Sequence, residues 1–226
     1  MKRSQINRYI QETEEFFASF GFKLPPWAHW SITDWKRQSG DITEIIDRGL
    51  GWDITDFGLG TFAAKGLVLF TIRNGKLEKG SKPYAEKLML VGEEQETPFH
   101  YHWTKIEDII NRGGGTLVLE LAWEDADRVL SDRDIEVSID GIRRPYAARE
   151  TVELSPGESI TLPTGLYHRF WGKRGGGPVM TGEVSMVNDD AGDNKFLDPI
   201  GRFPDIEEDD EPYRLLASDY AQWITA

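Results

Sequence analysis

The chain has 226 residues, 39% of them hydrophobic and 12% aromatic, which is enough to fill one large core and excludes the composition of a disordered chain. Its formal net charge of -13 repels polyanions, so neither nucleic acid nor an anionic membrane surface is expected as a partner. With no cysteine, disulfides, thiolate metal sites and cysteine nucleophiles are excluded outright.

From Ser4, a candidate cap, Ile6, Ile10, Phe17 and Phe20 recur at helical spacing as far as Gly21. This predicts an amphipathic helix that covers the flank or open end of a sheet, because its apolar stripe needs burial. Glu12, Glu14 and Glu15 interrupt the apolar pattern of residues 1–22, so a secretory leader is not expected there. No later run reaches the roughly 20 apolar residues of a membrane span, and a cytoplasmic protein is the expectation. Residues 27–62 are rich in Trp and Gly, with one short helix over 43–48 capped by Asp41 or Thr43. Residues 1–62 thus read as helical and aromatic decoration packed on a barrel of residues 63–226, the two forming one structural unit. His29, in the decoration, has no second ligand type at usable spacing and is expected to be structural or exposed.

After Phe62 the pattern changes to short β-rich runs bounded by turn residues, at 66–73, 84–91, 116–123, 135–139, 151–154, 159–162 and 179–187. Regular short strands predict an all-β sandwich or barrel. Asn74-Gly75 and Asp140-Gly141 lie between strands and predict hairpin turns, since these residues tolerate positive φ. Two triple-glycine runs, 113–115 and 175–177, lack the Lys-Ser/Thr of a phosphate-cradling loop and are expected as turns. An acidic turn over 189–193 and an acidic run over 207–211 follow the last strand.

The chain holds four histidines, and three of them fall in two short clusters, His100-Tyr101-His102 with Glu107 and then Pro163-Thr164-Gly165-Leu166-Tyr167-His168. If residues 100–102 are extended, both imidazoles project from one face of the strand, because side chains alternate with period two. Glu107 is far enough on for the chain to turn and return a carboxylate, and His168 follows a Pro-x-Gly turn. Three imidazoles and one carboxylate suit Mn, Fe, Co, Ni or Zn, and do not suit Ca or Mg.

These clusters resemble the paired cupin motifs. In words, the first is Gly, five residues, His-x-His, three or four residues, Glu, six residues, Gly; the second is Gly, five residues, Pro-x-Gly, two residues, His. The second runs from Gly157 to His168 without a gap, and the first fits at His100, His102, Glu107 and Gly114, with Glu94 where its leading Gly is expected. The resemblance implies a double-stranded β-helix, or jelly-roll barrel, holding one divalent metal, and a homodimer. A narrower resemblance, to the D-lyxose isomerase family of cupins, rests on Leu24-Pro25-Pro26-Trp27-Ala28, on residues 96–102, on residues 183–190 and on Asp193-Asn194-Lys195-Phe196. It implies a preference for manganese and interconversion of D-lyxose with D-xylulose, and of D-mannose with D-fructose.

Such a reaction needs a proton moved between C1 and C2 through a cis-enediol. Glu183 shares a polar strand face with Thr181 and Ser185, and is the proton-transfer candidate if that face lines the cavity. Lys105, between two candidate ligands in sequence, either stabilises the enediolate or, with its pKa depressed, transfers a proton. Lys87 binds sugar hydroxyls or is a solvated edge lysine; Asp193 binds the sugar or shapes a turn. Three other readings share these residues: an iron-dependent cupin dioxygenase, a sugar-binding cupin without catalysis, and an epimerase or lyase on uronic sugars.

Overall fold

Successive side chains of a strand point to opposite faces, and here that alternation sorts residues into a barrel interior and an outer layer. The computed structural model describes residues 1–189 and 192–224; Asp190 and Ala191, within the expected acidic turn, lie outside the described residues. Helix α1 (Arg3–Ser19) is followed by a 3-10 turn at Pro26–His29, α2 (Ile32–Arg37) and α3 (Thr43–Asp47). The strands begin with β1 (Gly51–Thr55), β2 (Leu67–Arg73), β3 (Tyr84–Val91), β4 (Thr97–Tyr101) and β5 (Glu107–Gly114). They continue with β6 (Leu117–Ala122), β7 (Glu124–Ala126), β8 (Val129–Leu130), β9 (Ile135–Ile139) and β10 (Ile142–Tyr146). The last are β11 (Thr151–Leu154), β12 (Ser159–Leu162), β13 (Tyr167–Gly172), β14 (Val179–Met186) and β15 (Lys195–Phe196), before α4 (Tyr220–Trp223).

One sheet has the order β1-β2-β3-β14-β5-β12-β9-β10 and the other β11-β6-β13-β4-β15, with β7 and β8 a separate hairpin. The strand pairs are antiparallel, and the two sheets face each other as a cupin jelly roll. Every strand expected from the sequence is present, with ends moved by one residue at most. Leu69, Met89, Ile109, Leu119, Ile160 and Phe170 point inward and share one core.

Val68, Phe70, Leu88 and Met180 point outward from the larger sheet, where Ile6, Ile10 and Phe17 of α1 cover them. Those three α1 side chains are at most 1% exposed, and each such burial contributes about 1.5–3 kcal/mol, which holds a helix that propensity alone would not. The expected start differs: Lys2 is the N-cap, and Ser4, inside the helix, bonds Asp209. Gly21, with φ 72°, ends the helix as expected. Arg3 is fully buried and bidentate to both Asp219 and Glu208, tying α1 to the last segment of the chain.

Three expectations are corrected in detail. The 1–62 decoration contains β1, which pairs with β2 as an edge of the larger sheet. Asp140-Gly141 forms the expected two-residue hairpin, with φ 50° and 78° and Ile139 opposite Ile142, but Asn74-Gly75 opens a longer excursion before β3. Gly113 and Gly114 belong to the end of β5 and do not form a turn of their own.

Candidate active site

The cupin motif glycines have a geometric reason here. Gly157 and Gly165 have φ 99° and 77°, and Glu94, at the position where the first motif expects Gly, also has positive φ, at 54°. At that point this chain makes with a glutamate a left-handed turn that glycine would adopt without strain.

The turns bring the ligand-bearing strands together. His100 on β4 lies opposite His168 on β13, and His102 follows the end of β4, so that all three imidazoles enter one cavity between the sheets. Their ligand nitrogens lie within 4.8 Å of one another. Glu107, at the start of β5, places Oε1 3.3 Å from His102 Nε2 and 3.1 Å from His168 Nε2. The sequence-predicted set is thus brought together, with Glu107 on the side of His102 and His168.

Each imidazole is oriented from behind. His100 Nδ1 meets the Pro98 carbonyl at 2.8 Å, His102 Nδ1 the Asp193 carbonyl at 2.8 Å, and His168 Nδ1 the Leu166 carbonyl at 3.0 Å. A carbonyl only accepts, so each Nδ1 carries the proton and, in the neutral ring, each Nε2 presents a lone pair. Burial, reinforced by His168 and His102, holds His100 well below the ordinary imidazole pKa and so uncharged. The result is a knot of acceptors: His100 and His168 Nε2 are 3.1 Å apart, and the buried Glu107 Oε1 has no hydrogen-bond donor. A divalent cation fits this donor set, since it would satisfy every one of these atoms at once.

Beyond Glu107 the polarity changes. Its Oε2 meets the Lys105 ammonium at 2.8 Å, and Lys105 donates to Glu183 Oε1 at 2.8 Å. Glu183 points inward from β14, with Lys87 opposite it on β3; Lys87 Nζ lies 3.5 Å from Glu183 Oε2, and Ser185 Oγ donates to Glu183 Oε1 at 3.0 Å. Burial pushes the Glu107 carboxyl up, but the Lys105 ammonium outweighs it and holds the group well below its ordinary value. Burial likewise acts upward on Glu183, and Lys105 and Lys87 bring it below its ordinary value. Burial acts to lower the Lys105 pKa, yet Glu107 and Glu183 raise it further than burial lowers it. Lys105 is thereby held as a cation between the two carboxylates.

Lys87, 5% exposed, lines the cavity and is no solvated edge lysine. Asp193 does not line it: Oδ1 and Oδ2 accept the backbone N–H groups of Thr104 and Lys105, at 2.8 and 3.0 Å, while its carbonyl orients His102. Of its two expected roles, these contacts are those of a residue that shapes the loop carrying Lys105. His29 pairs with Glu14 at 3.0 Å, away from the cavity.

Sequence reasoning missed part of the wall. Phe57, Phe196, Thr55 and Arg202 also line the cavity where β1 and β15, the sheet edges on that side, approach each other. Thr55 Oγ1 donates to the Arg202 carbonyl, Gly58 packs on Gly201, and the Phe57 and Phe196 rings meet at 5.8 Å. Only Phe196 had a signal in the sequence, as part of the segment 193–196.

The chain matches the family model described as D-lyxose isomerase over residues 1–220. It belongs to the D-lyxose isomerase family. It is 49% identical to the D-lyxose/D-mannose isomerase of Serratia proteamaculans over 99% of this chain and 100% of that protein. It is equally 49% identical to the protein of that name from Escherichia coli O157:H7, again over 99% and 100%. Among solved structures it resembles the L-ribose isomerase of Geodermatophilus obscurus, with a TM-score of 0.61 and 15% identity over 91% of this chain and 98% of the other, a likeness of fold. Among the described residues no helix is long and apolar enough to cross a membrane.

Proposed function

We propose that this family member is an aldose-ketose isomerase that interconverts D-lyxose with D-xylulose and D-mannose with D-fructose. The observation that carries the reading is the juxtaposition, in one cavity, of a buried acceptor knot at His100, His102, His168 and Glu107 with an ionised, lysine-flanked carboxylate at Glu183. The names of the two relatives at 49% identity supply the sugars.

His100, His102, His168 and Glu107 would hold the ion, which we assign as Mn2+ among the borderline divalent metals. When bound, such an ion supplies Lewis-acid polarisation of the sugar carbonyl. Glu183 takes the proton from the carbon beside the carbonyl and returns it to the other carbon of the C1–C2 pair, while a second proton passes from the hydroxyl of one carbon to the carbonyl oxygen of the other, with a cis-enediol between the two carbon transfers. Its depressed pKa keeps it ionised and ready to accept at neutral pH. Lys105, held as a cation 2.8 Å from Glu183, stabilises the negative charge that develops on oxygen, and Lys87 holds a hydroxyl of the sugar. No oxidant is consumed, which separates this reading from a dioxygenase. A homodimer, which the cupin resemblance implies, and a cytoplasmic location complete the reading; sedimentation velocity tests the one and cell fractionation the other.

The experiment is an assay of ketose formation from D-lyxose and D-mannose after chelation and after Mn2+ is restored. Activity lost on chelation and regained with Mn2+ is the expected result. Bound metal with neither sugar converted would sink the assignment.

A further inference from the structure

The Asn74-Gly75 pair leads to the active site from outside the barrel. Asn74 is 7% exposed, and its side chain makes two bonds to the backbone of Asn188, Nδ2 to the carbonyl at 2.9 Å and Oδ1 to the N–H at 3.0 Å. This is the pairing one strand gives another, supplied by a single amide, and it fixes the chain just after β14 ends at Met186. The Asn188 side chain then places Oδ1 2.5 Å from Lys87 Nζ and 3.5 Å from Lys105 Nζ. These two ammoniums face the two oxygens of Glu183, Lys87 at Oε2 and Lys105 at Oε1. Neither asparagine lines the cavity.

We propose that Asn188 is a positioning residue for the isomerase reaction, holding the Lys87 ammonium against Glu183, and that Asn74 acts through it. A lysine has a long, flexible stem, and a fixed acceptor confines its charge to one place. An amide oxygen does so without adding a third negative charge beside Glu107 and Glu183. The effect falls on turnover, because Asn188 touches neither the sugar cavity nor the four candidate metal ligands.

The inference rests on the isomerase reading, which wild-type turnover tests, while a double-mutant cycle tests the inference itself. Asn188→Leu is expected to lower kcat roughly tenfold, the scale of one lost charge-assisted hydrogen bond, with KM moved less than about twofold. Bound metal stays at the wild-type level. Asn74→Ala lowers kcat in the same direction, and the double variant is no slower than Asn188→Leu, since both act on one path. A scaffold role would instead lower the unfolding midpoint and leave the two losses to multiply. A kcat for Asn188→Leu close to wild type, multiplying losses, or loss of metal each overturns the inference while wild-type turnover upholds the isomerase. A wild type that forms no ketose overturns both. Should Asn188→Leu not fold, Asn188→Ser, whose hydroxyl is too short to reach Lys87, carries the same expectations.

Discussion

The two oxygens of Glu107 face two different neighbourhoods. On the Oε1 side, imidazole lone pairs converge on a carboxylate oxygen that has no donor; on the Oε2 side, Lys105, Glu183 and Lys87 alternate in sign, so each charge touches an opposite one. Both regions are buried, so the contrast is not one of solvent. One half is electrostatically complete from its own residues, and the other is completed only by a cation. Metal binding and proton transfer are thereby assigned to adjoining but separable groups, and substitutions should divide accordingly.

The largest effect is expected at the incomplete half. His168→Ala removes one of three converging nitrogens and should lose metal and ketose formation together, read by elemental analysis and assay on the same sample. Stoichiometric metal in that variant would take His168 out of the site. In the complete half, Glu183→Gln should keep its metal and lose about 10²- to 10⁴-fold in kcat, the usual reach of a positioned base. Full activity would remove Glu183 from the mechanism.

Lys105→Met leaves two buried carboxylates without their shared cation, which costs about 3–5 kcal/mol of stability in denaturant unfolding. A loss below about 1 kcal/mol would mean that water reaches the pair. The metal-free protein should respond to pH at His100 first. The His100 pKa is depressed in the fold, so its contribution is fully present above the ordinary value of 6.5 and is lost as pH falls below it, by up to ~1.4 kcal/mol per unit. Glu107 and Glu183 are depressed as well, so their contribution is lost only below the ordinary carboxylate value of 4.5, which leaves pH 5–6.5 to report His100. A flat urea midpoint across that window would contradict a neutral buried His100. Asp193→Ala should weaken metal binding roughly tenfold by loosening the loop behind His102 and Lys105. Unchanged affinity in a metal titration would show that the His102 contact with the residue 193 carbonyl suffices alone.

How much of this was legible depended on whether a residue's role followed from local spacing. His100 and His102 share a face because strands alternate, and the Pro-x-Gly turn before His168 is local as well, so the metal half could be read directly. The polar face that Glu183 shares with Thr181 and Ser185 is legible in the sequence, but its inward direction comes only with the fold, because alternation separates two faces without saying which is inside. Strands β5 and β13, which carry Glu107 and His168, escaped notice because Asp108, Asn111 and Arg112 in one, and Arg169 in the other, blur apolar alternation. Asn74 was read as a turn residue because propensity describes its backbone, whereas its side chain bonds a residue 114 positions away. Sequence alone leaves both roles of Asp193 open for a related reason: whether a carboxylate near a site is occupied by backbone N–H groups depends on the loop's fold.

Arg3 carries a consequence for how the chain is made. Its guanidinium is buried against Asp219 and Glu208, partners 216 and 205 residues away. A growing chain has made α1 long before either carboxylate exists, and burying that cation alone would cost several kcal/mol. Docking α1 with its arginine paired therefore requires residues 208–219 to have been made, and until then the outer apolar face of β2 and β3 lacks its cover.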